Sequence, residues 1–296
     1  MIETIVHVNN SEQIDLFAQS GCRNFVITTA FLSSAIINPT HIDNLNSLKS
    51  MADKFQSKLG LLINRVILES EFDTLIKEIN DILQKVSFDY FIVSDVGVMF
   101  YLKTKLTKNI YFHSDTTIAN ANDAMMLLEN GATLIMPARE ITYEKKVDIV
   151  AQCPKQIMLP IFGYQVMSKS YRPLLTNYFN QINQTNPSHY EKFYFKEDQR
   201  DQKYIGFEDQ HGFSMFTDTI VHLIDEKINL ENIGLKYGWI DTNFIEDDII
   251  ANVIAYFSNK ITNDEINLYL HQQSQNHQFS SGLNYQDTTL AKDKIK

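Results

Sequence analysis

Apolar positions along the first half of the chain follow two alternating rhythms. Short runs rich in β-branched and aromatic residues, at residues 4–8, 24–28, 59–63, 90–93, 109–112, 133–136 and 156–161, read as strands. Between them lie stretches with apolar residues at helical spacing. In residues 39–55 these are Ile42, Leu45, Leu48, Met51 and Phe55; in residues 69–86 they run from Phe72 and Leu75 through Ile79 and Ile82 to Val86. Ser11 can cap a first helix carrying Ile14, Phe17 and Ala18, which Gly21 ends. Further helices are expected at 96–106, 119–129 and 142–151.

Such alternation builds a mostly parallel sheet with helices outside it. Seven strands by residue 161 fit a (β/α)8 barrel, TIM-barrel-like, better than an open sheet. The rhythm breaks after Gly163. Residues 164–218 are polar, aromatic and irregular, and read as an elaboration over the barrel mouth. A helix at 217–230, a strand at 233–239 and a helix at 245–261 supply the eighth unit. The expected organisation is one domain over residues 1–273, followed by a polar segment, 274–296, running over the surface.

Composition narrows the function classes. Of 296 residues 44% are hydrophobic, enough for a full core, and 36 acidic against 26 basic residues give a net charge of −10. A field of that sign repels nucleic acid and acidic lipid, so contact with RNA needs a local basic patch or a partner that supplies one. Lys192, Lys196, Arg200 and Lys203 are interleaved with Glu191, Glu197, Asp198 and Asp201, and read as a solvated charged helix. Cys22 and Cys153, the two cysteines, cannot build a disulfide framework or a four-thiolate metal site. The N-terminal stretch MIETIVHVNNSEQIDLF has no basic leader, and no window reaches the roughly 18 to 20 apolar residues of a membrane helix. A cytoplasmic location without membrane contact is expected.

In a parallel barrel, chemistry gathers where strands end. His113, Ser114, Asp115, Thr116 and Thr117 follow the fifth strand, Arg139 and Glu140 the sixth, and Lys169, Ser170 and Arg172 the seventh. With Lys236 at the last strand, these cations would suit an acidic small molecule or a phosphate. Arg139 and Glu140 could equally be a local ion pair at a helix start. Glu208 to His211 with His222, Asp225 and Glu226 hint at a metal site, but a polar turn and a solvated helix face explain them better. His189, His271 and His277 have no partner at ligand spacing, and no GxSxG elbow, P-loop or GxGxxG is present. Both cysteines read as packed thiols.

The stretch FGYQVMSKSYRPLLTNYF at residues 162–179 resembles the signature region of the collagenase-like peptidases, peptidase family U-32. Further patches are similar in order: His113 to Thr117, Pro137-Ala138-Arg139-Glu140, Lys203 to Asp209, and Gly282-Leu283-Asn284-Tyr285. Typical members hold an iron–sulfur cluster on four cysteines. Here Val166 and Pro173 stand at the first two positions, residues 180–203 contain no Cys, and Phe162 replaces a frequent His. The resemblance therefore implies a member without its own cluster. In length and pattern the chain resembles the short, cysteine-poor Gram-positive proteins of tRNA uridine hydroxylation. On that reading the chain works beside a longer cysteine-containing paralogue in forming 5-hydroxyuridine, with prephenate as co-substrate and with tRNA reached mainly through the complex. Arg139, Glu140 and Arg172 would be the catalytic candidates; His113, Ser114, Thr116, Lys169, Ser170, Tyr178 and Lys236 would bind substrate. A peptidase (a hydrolase) and a non-catalytic scaffold stay open as alternatives.

Overall fold

The two rhythms fold into a parallel sheet wrapped by helices. A computed structural model describes residues 1–106, 109–186, 192–196, 198 and 202–286. In chain order the elements begin β1 (Glu3–His7), α1 (Ser11–Ser20), β2 (Asn24–Ile27), α2 (Leu45–Lys54), β3 (Lys58–Ile63), α3 (Phe72–Lys85), β4 (Tyr90–Val93) and α4 (Val96–Lys105). They continue with β5 (Asn109–His113), α5 (Ala121–Glu129), β6 (Leu134–Met136), α6 (Tyr143–Gln152) and β7 (Met158–Gly163). The elaboration holds β8 (Val166–Ser170), α7 (Leu174–Gln181), β9 (Phe193–Lys196), β10 (Lys203–Asp209) and β11 (Gly212–Phe216). The chain then forms β12 (Ile220–His222), α8 (Lys227–Asn232), β13 (Tyr237–Ile240), α9 (Asp247–Phe257), α10 (Asn263–Gln273) and β14 (Phe279–Ser280).

Eight strands run parallel in the order β7-β13-β1-β2-β3-β4-β5-β6. One parallel bridge, Ile135 with Ile157, brings the two outer edges together, so the sheet is barrel-like. Local chemistry sets the helix starts. Asn10, Asp95, Asn120 and Thr142 each accept from the backbone N–H three residues on, and Gly21 closes α1 in the left-handed region.

Because the strands are covered on both sides, they are apolar on both faces and sort into two cores. The inner one contains Ile5, Val26, Leu62, Tyr90, Ile92, Tyr111, Met136, Met158 and Trp239. Tyr90 and Tyr111 stack there at 4.7 Å, and Tyr90 donates its hydroxyl to the Phe25 carbonyl at 2.8 Å. Gly60 makes room for that ring, since a Cβ at this position would lie 2.3 Å from it. The outer core joins the other strand faces to the helices.

Three segments depart from the expected pattern. Residues 217–230 do not form one helix: Ile220 to His222 pair antiparallel with β7, and only Lys227–Asn232 are helical. The β-branched residues Thr217, Thr219, Ile220 and Val221 favour a strand here. The basic cluster is not a helix either, since Phe193–Lys196 and Lys203–Asp209 are strands of a four-stranded antiparallel sheet, ordered β8-β11-β10-β9; Glu191, Glu197, Arg200 and Asp201 lie outside the described residues. The segment after residue 273 does not simply run over the surface. β14 pairs with β12, and His277 and Asn284 are buried.

Candidate functional site

Parallel strands bring their carboxyl ends to one face, and the polar residues that follow them meet there. His113 closes β5, Arg139 follows β6, Asp241 follows β13 and His7 closes β1. Arg139 ties this group together. Its Nη1 lies 2.6 Å from Asp241 Oδ2, its Nη2 3.3 Å from His113 Nε2 and its Nε 3.4 Å from Asp115 Oδ1. Trp239 Nε1 donates to the other Asp241 oxygen at 2.8 Å. Lys146 Nζ donates to the Arg139 carbonyl at 3.0 Å and to Asn284 Oδ1 at 2.6 Å, which joins the C-terminal strap to the same cluster.

This packing sets the protonation states. Arg139 Nη2 and Asp115 Oδ1, the latter at 3.5 Å, both face His113 Nε2, while Nδ1 has no hydrogen-bond partner among the described residues. Burial, helped by the Arg139 charge, keeps the His113 pKa below its ordinary value despite Asp115. Burial disfavours the Asp115 carboxylate, yet Lys169, His113 and Arg139 outweigh it and hold this acid well below the usual range. Lys169 Nζ is 2.9 Å from Asp115 Oδ2. Burial pushes Lys146 down to about 8, with Arg139 adding to the effect, and pushes His7 down to about 4 against the pull of Asp241.

Beside the cluster is a cavity of about 450 Å³, a size that suits a small molecule. Asp115 and Lys169 reach it from the charged cluster, and Arg65, Ser94, Tyr171 and His211 line it from other elements. A wider cleft of about 1160 Å³ opens on the same face near His7, Asn9, Asn38 and Asn243. The loop between β2 and α2 borders both openings, giving Ser34 to the cavity and Ile37 to the cleft. Asp209 and Asn243 hold it in place by accepting from the Ala35 and Ile37 backbone at 2.9 and 3.1 Å.

The expected site residues divide into groups. Ser114, Thr116, Lys169 and Ser170 line the cavity. His113 and Arg139 are buried in the charged cluster, 5% and 7% exposed. Glu140, Arg172 and Tyr178 are exposed and outside the cavity lining. Lys236 is a correction. It precedes β13, so it lies at the amino ends of the strands, 3.6 Å from Glu3 and away from the cavity. The expected convergence of four cations reduces to Lys169 at the cavity with Arg139 behind it.

Sequence reasoning missed Arg65, Asp241 and His7. All three sit at or just beyond strand ends, the position that drew attention to His113 and Arg139, and Asn64, the Thr242-Asn243 pair and the Asn9-Asn10 pair beside them are signals that could have found them. It also missed the partners of His277, which bridges Glu246 at 2.6 Å and Tyr164 at 3.2 Å over long sequence distances. His189 lies outside the described residues.

The acidic candidates for a metal site have other work. Glu208 accepts from the backbone of Leu175 and Thr176, and Asp209 from Ala35 and His211. Among the described residues no group of three or more His, Cys, Asp or Glu is arranged to hold a metal ion. Cys22 and Cys153 are free and buried, and precede β2 and β7 at the ends of the strands away from the cavity. Burial raises the Cys22 thiol to about 11.

Residues 35–283 match the model of peptidase family U32. The chain belongs to that family. This U32 chain is 21% identical over 244 residues to the tRNA hydroxylation protein P2 of Bacillus subtilis (strain 168), a match covering 81% of this chain and 79% of that protein. Its fold is similar to that of a U32 peptidase of solved structure, with a TM-score of 0.51 at 10% identity over 83% of this chain and 95% of the other. The residues present do not fit the iron–sulfur cluster of typical U32 members. Val166 in β8 and Pro173 before α7 offer no thiolate, and neither cysteine lines the cavity. Among the described residues, no helix is long and apolar enough to cross a membrane.

Proposed function

We propose that this U32 chain is a small-molecule-binding subunit of a tRNA wobble-uridine 5-hydroxylation system that takes prephenate as co-substrate. The observation that carries the reading is the similarity to tRNA hydroxylation protein P2 over about four fifths of both chains. The cavity supports it, being of ligand size and presenting Lys169, Ser114, Thr116 and Ser170 at strand ends. Arg139 acts in this reading as a positioning residue: it fixes Asp115, which in turn holds Lys169 at the cavity.

A longer cysteine-containing paralogue would supply the iron–sulfur chemistry and most of the tRNA contact. The net charge of −10 disfavours tight RNA binding by this chain alone. Glu140 and Arg172, both on the surface, are then free to serve docking instead of chemistry.

The test is nucleoside mass spectrometry of tRNA from a strain lacking the chain, with a complemented control. Loss of 5-hydroxyuridine and its derivatives, restored by the wild-type gene, is the expected result. Unchanged tRNA in a strain that also lacks redundant U32 genes would remove the hydroxylation reading and return the hydrolase alternative to the front.

A further inference from the structure

Arg65 follows the end of β3 and lines the cavity, yet its side chain is only 3% exposed. Two contacts fix its guanidinium. Nη1 lies 3.0 Å from Glu71 Oε2, and the guanidinium carbon sits 4.6 Å from the centre of the Phe31 ring. Among the described residues, Nε and Nη2 have no hydrogen-bond partner. Buried charged donors are rarely left unmade, because their desolvation is then uncompensated.

The identity of the two open donors is informative. The Nε and Nη2 N–H groups point the same way along one side of the guanidinium plane, the edge that grips two oxygens of a carboxylate. The other cationic groups near the cavity are already engaged. Arg139 faces Asp241, His113 and Asp115, and Lys169 faces Asp115. The enclosed position also selects the ligand. A nucleic-acid backbone cannot bring its phosphates onto a side chain this deeply buried, whereas a small molecule inside the cavity needs only a slight shift of the groups that cover these donors. The hydroxyls of Ser94, Ser114 and Thr116 line the rest of the space and suit further oxygen atoms.

We propose that the Nε–Nη2 edge of Arg65 anchors the carboxylate of a small organic acid in this cavity. The inference rests on the reading of the cavity as a ligand site and names the residue that would hold the acid there.

The full-length protein is titrated with succinate, benzoate and inorganic phosphate, followed by calorimetry and by the Arg65 Nε–Hε cross-peak in NMR spectra. That peak is assigned by its disappearance in Arg65→Lys. Saturable movement of the peak by the carboxylates, and affinity about ten-fold weaker in Arg65→Lys, is expected, because lysine keeps the charge but loses the paired donors. Lys236→Gln should bind as wild type. Equal carboxylate affinity in Arg65→Lys overturns the proposal, as does a peak that no carboxylate moves. A peak moved by phosphate in preference to both acids overturns the assigned class.

The wild-type NMR titration does not depend on how well a variant folds. Carboxylate binding that needs Arg65, together with unchanged tRNA in the deletion strain, upholds the anchor and removes the hydroxylation reading. The reverse pattern, hydroxylation lost on deletion but Arg65→Lys binding like wild type, removes the anchor and leaves that reading standing.

Discussion

Arg139 and Asp241 meet at 2.6 Å across the mouth of the sheet, joining the end of β6 to the end of β13. Both are almost fully buried, and Trp239 orients the carboxylate from its other side. Removing one partner of such a pair leaves a desolvated charge behind, which costs about 3–5 kcal/mol. Asp241→Asn should therefore lower the free energy of unfolding by about 3 kcal/mol in urea titrations. Combining it with Arg139→Met should cost less than the two single changes summed. Additive effects would show that the two residues act independently and that Arg139 is available for another role.

The sheet that carries this pair was readable because each strand is buried on both faces and reads as an uninterrupted apolar run. The pair itself was only half visible. Arg139 stood out beside Glu140, but the Asp241-Thr242-Asn243 run after Ile240 reads as an ordinary polar turn, and the partner of Asp241 is 102 positions away. Lys236 shows the complementary error. A parallel strand carries function at only one end, and a boundary drawn at residue 233 instead of Tyr237 placed a lysine from the wrong end in the site. The four-stranded elaboration was legible only as a break in rhythm. Its pairings β8–β11 and β9–β10 are antiparallel, and their charged, aromatic strands lack a one-sided apolar pattern.

His7 gives the protein an acid-sensitive element. Folded, its pKa falls to about 4, chiefly through burial and despite Asp241, while an unfolded histidine titrates near about 6.5. Between those values the unfolded state binds more protons than the native state. The stability contributed by neutral His7 is therefore complete above about pH 6.5, is lost as pH falls through that window, and levels off below about 4. The span corresponds to about 3 kcal/mol. Urea midpoints of the wild type should drop steeply between about pH 7 and 4.5, and those of His7→Asn should drop less. Asp115 adds acid sensitivity only below the unfolded carboxylate range of about 3.9, so the two effects separate along the pH axis. Parallel profiles for wild type and His7→Asn would refute the assignment.

Gly163, at the end of β7, links the signature stretch to the buried pair. Its φ is +130°, and an added Cβ would lie 2.5 Å from Asp241 Cβ and 2.6 Å from the Asp241 carbonyl oxygen. Gly163→Ala thus meets both a left-handed backbone and a close approach to the backbone of residue 241. A loss of about 3 kcal/mol or more is expected, because rigid backbone cannot yield as a side-chain tip can. The same variant should shift the Trp239 indole N–H resonance, since Trp239 donates to Asp241. A stable variant with an unmoved indole signal would show that β7 and β13 can separate at little cost.

Glu208 holds the start of α7 from the neighbouring sheet. It lies in β10, is 2% exposed, and accepts from Leu175 N at 2.8 Å and Thr176 N at 3.2 Å. Pro173 stands at the cap position and gives the helix no side-chain acceptor, so Glu208 supplies that function from 33 residues away. Glu208→Ala should cost about 1–3 kcal/mol locally. Hydrogen exchange should rise at residues 174–181 while Ile92 and Val93, within the barrel-like sheet, stay protected. Because β8 and β11 form part of the cavity wall, binding of a small acid should weaken as well. If exchange rises equally in β4, the elaboration and the parallel sheet open as one cooperative unit, and the cavity wall cannot loosen by itself.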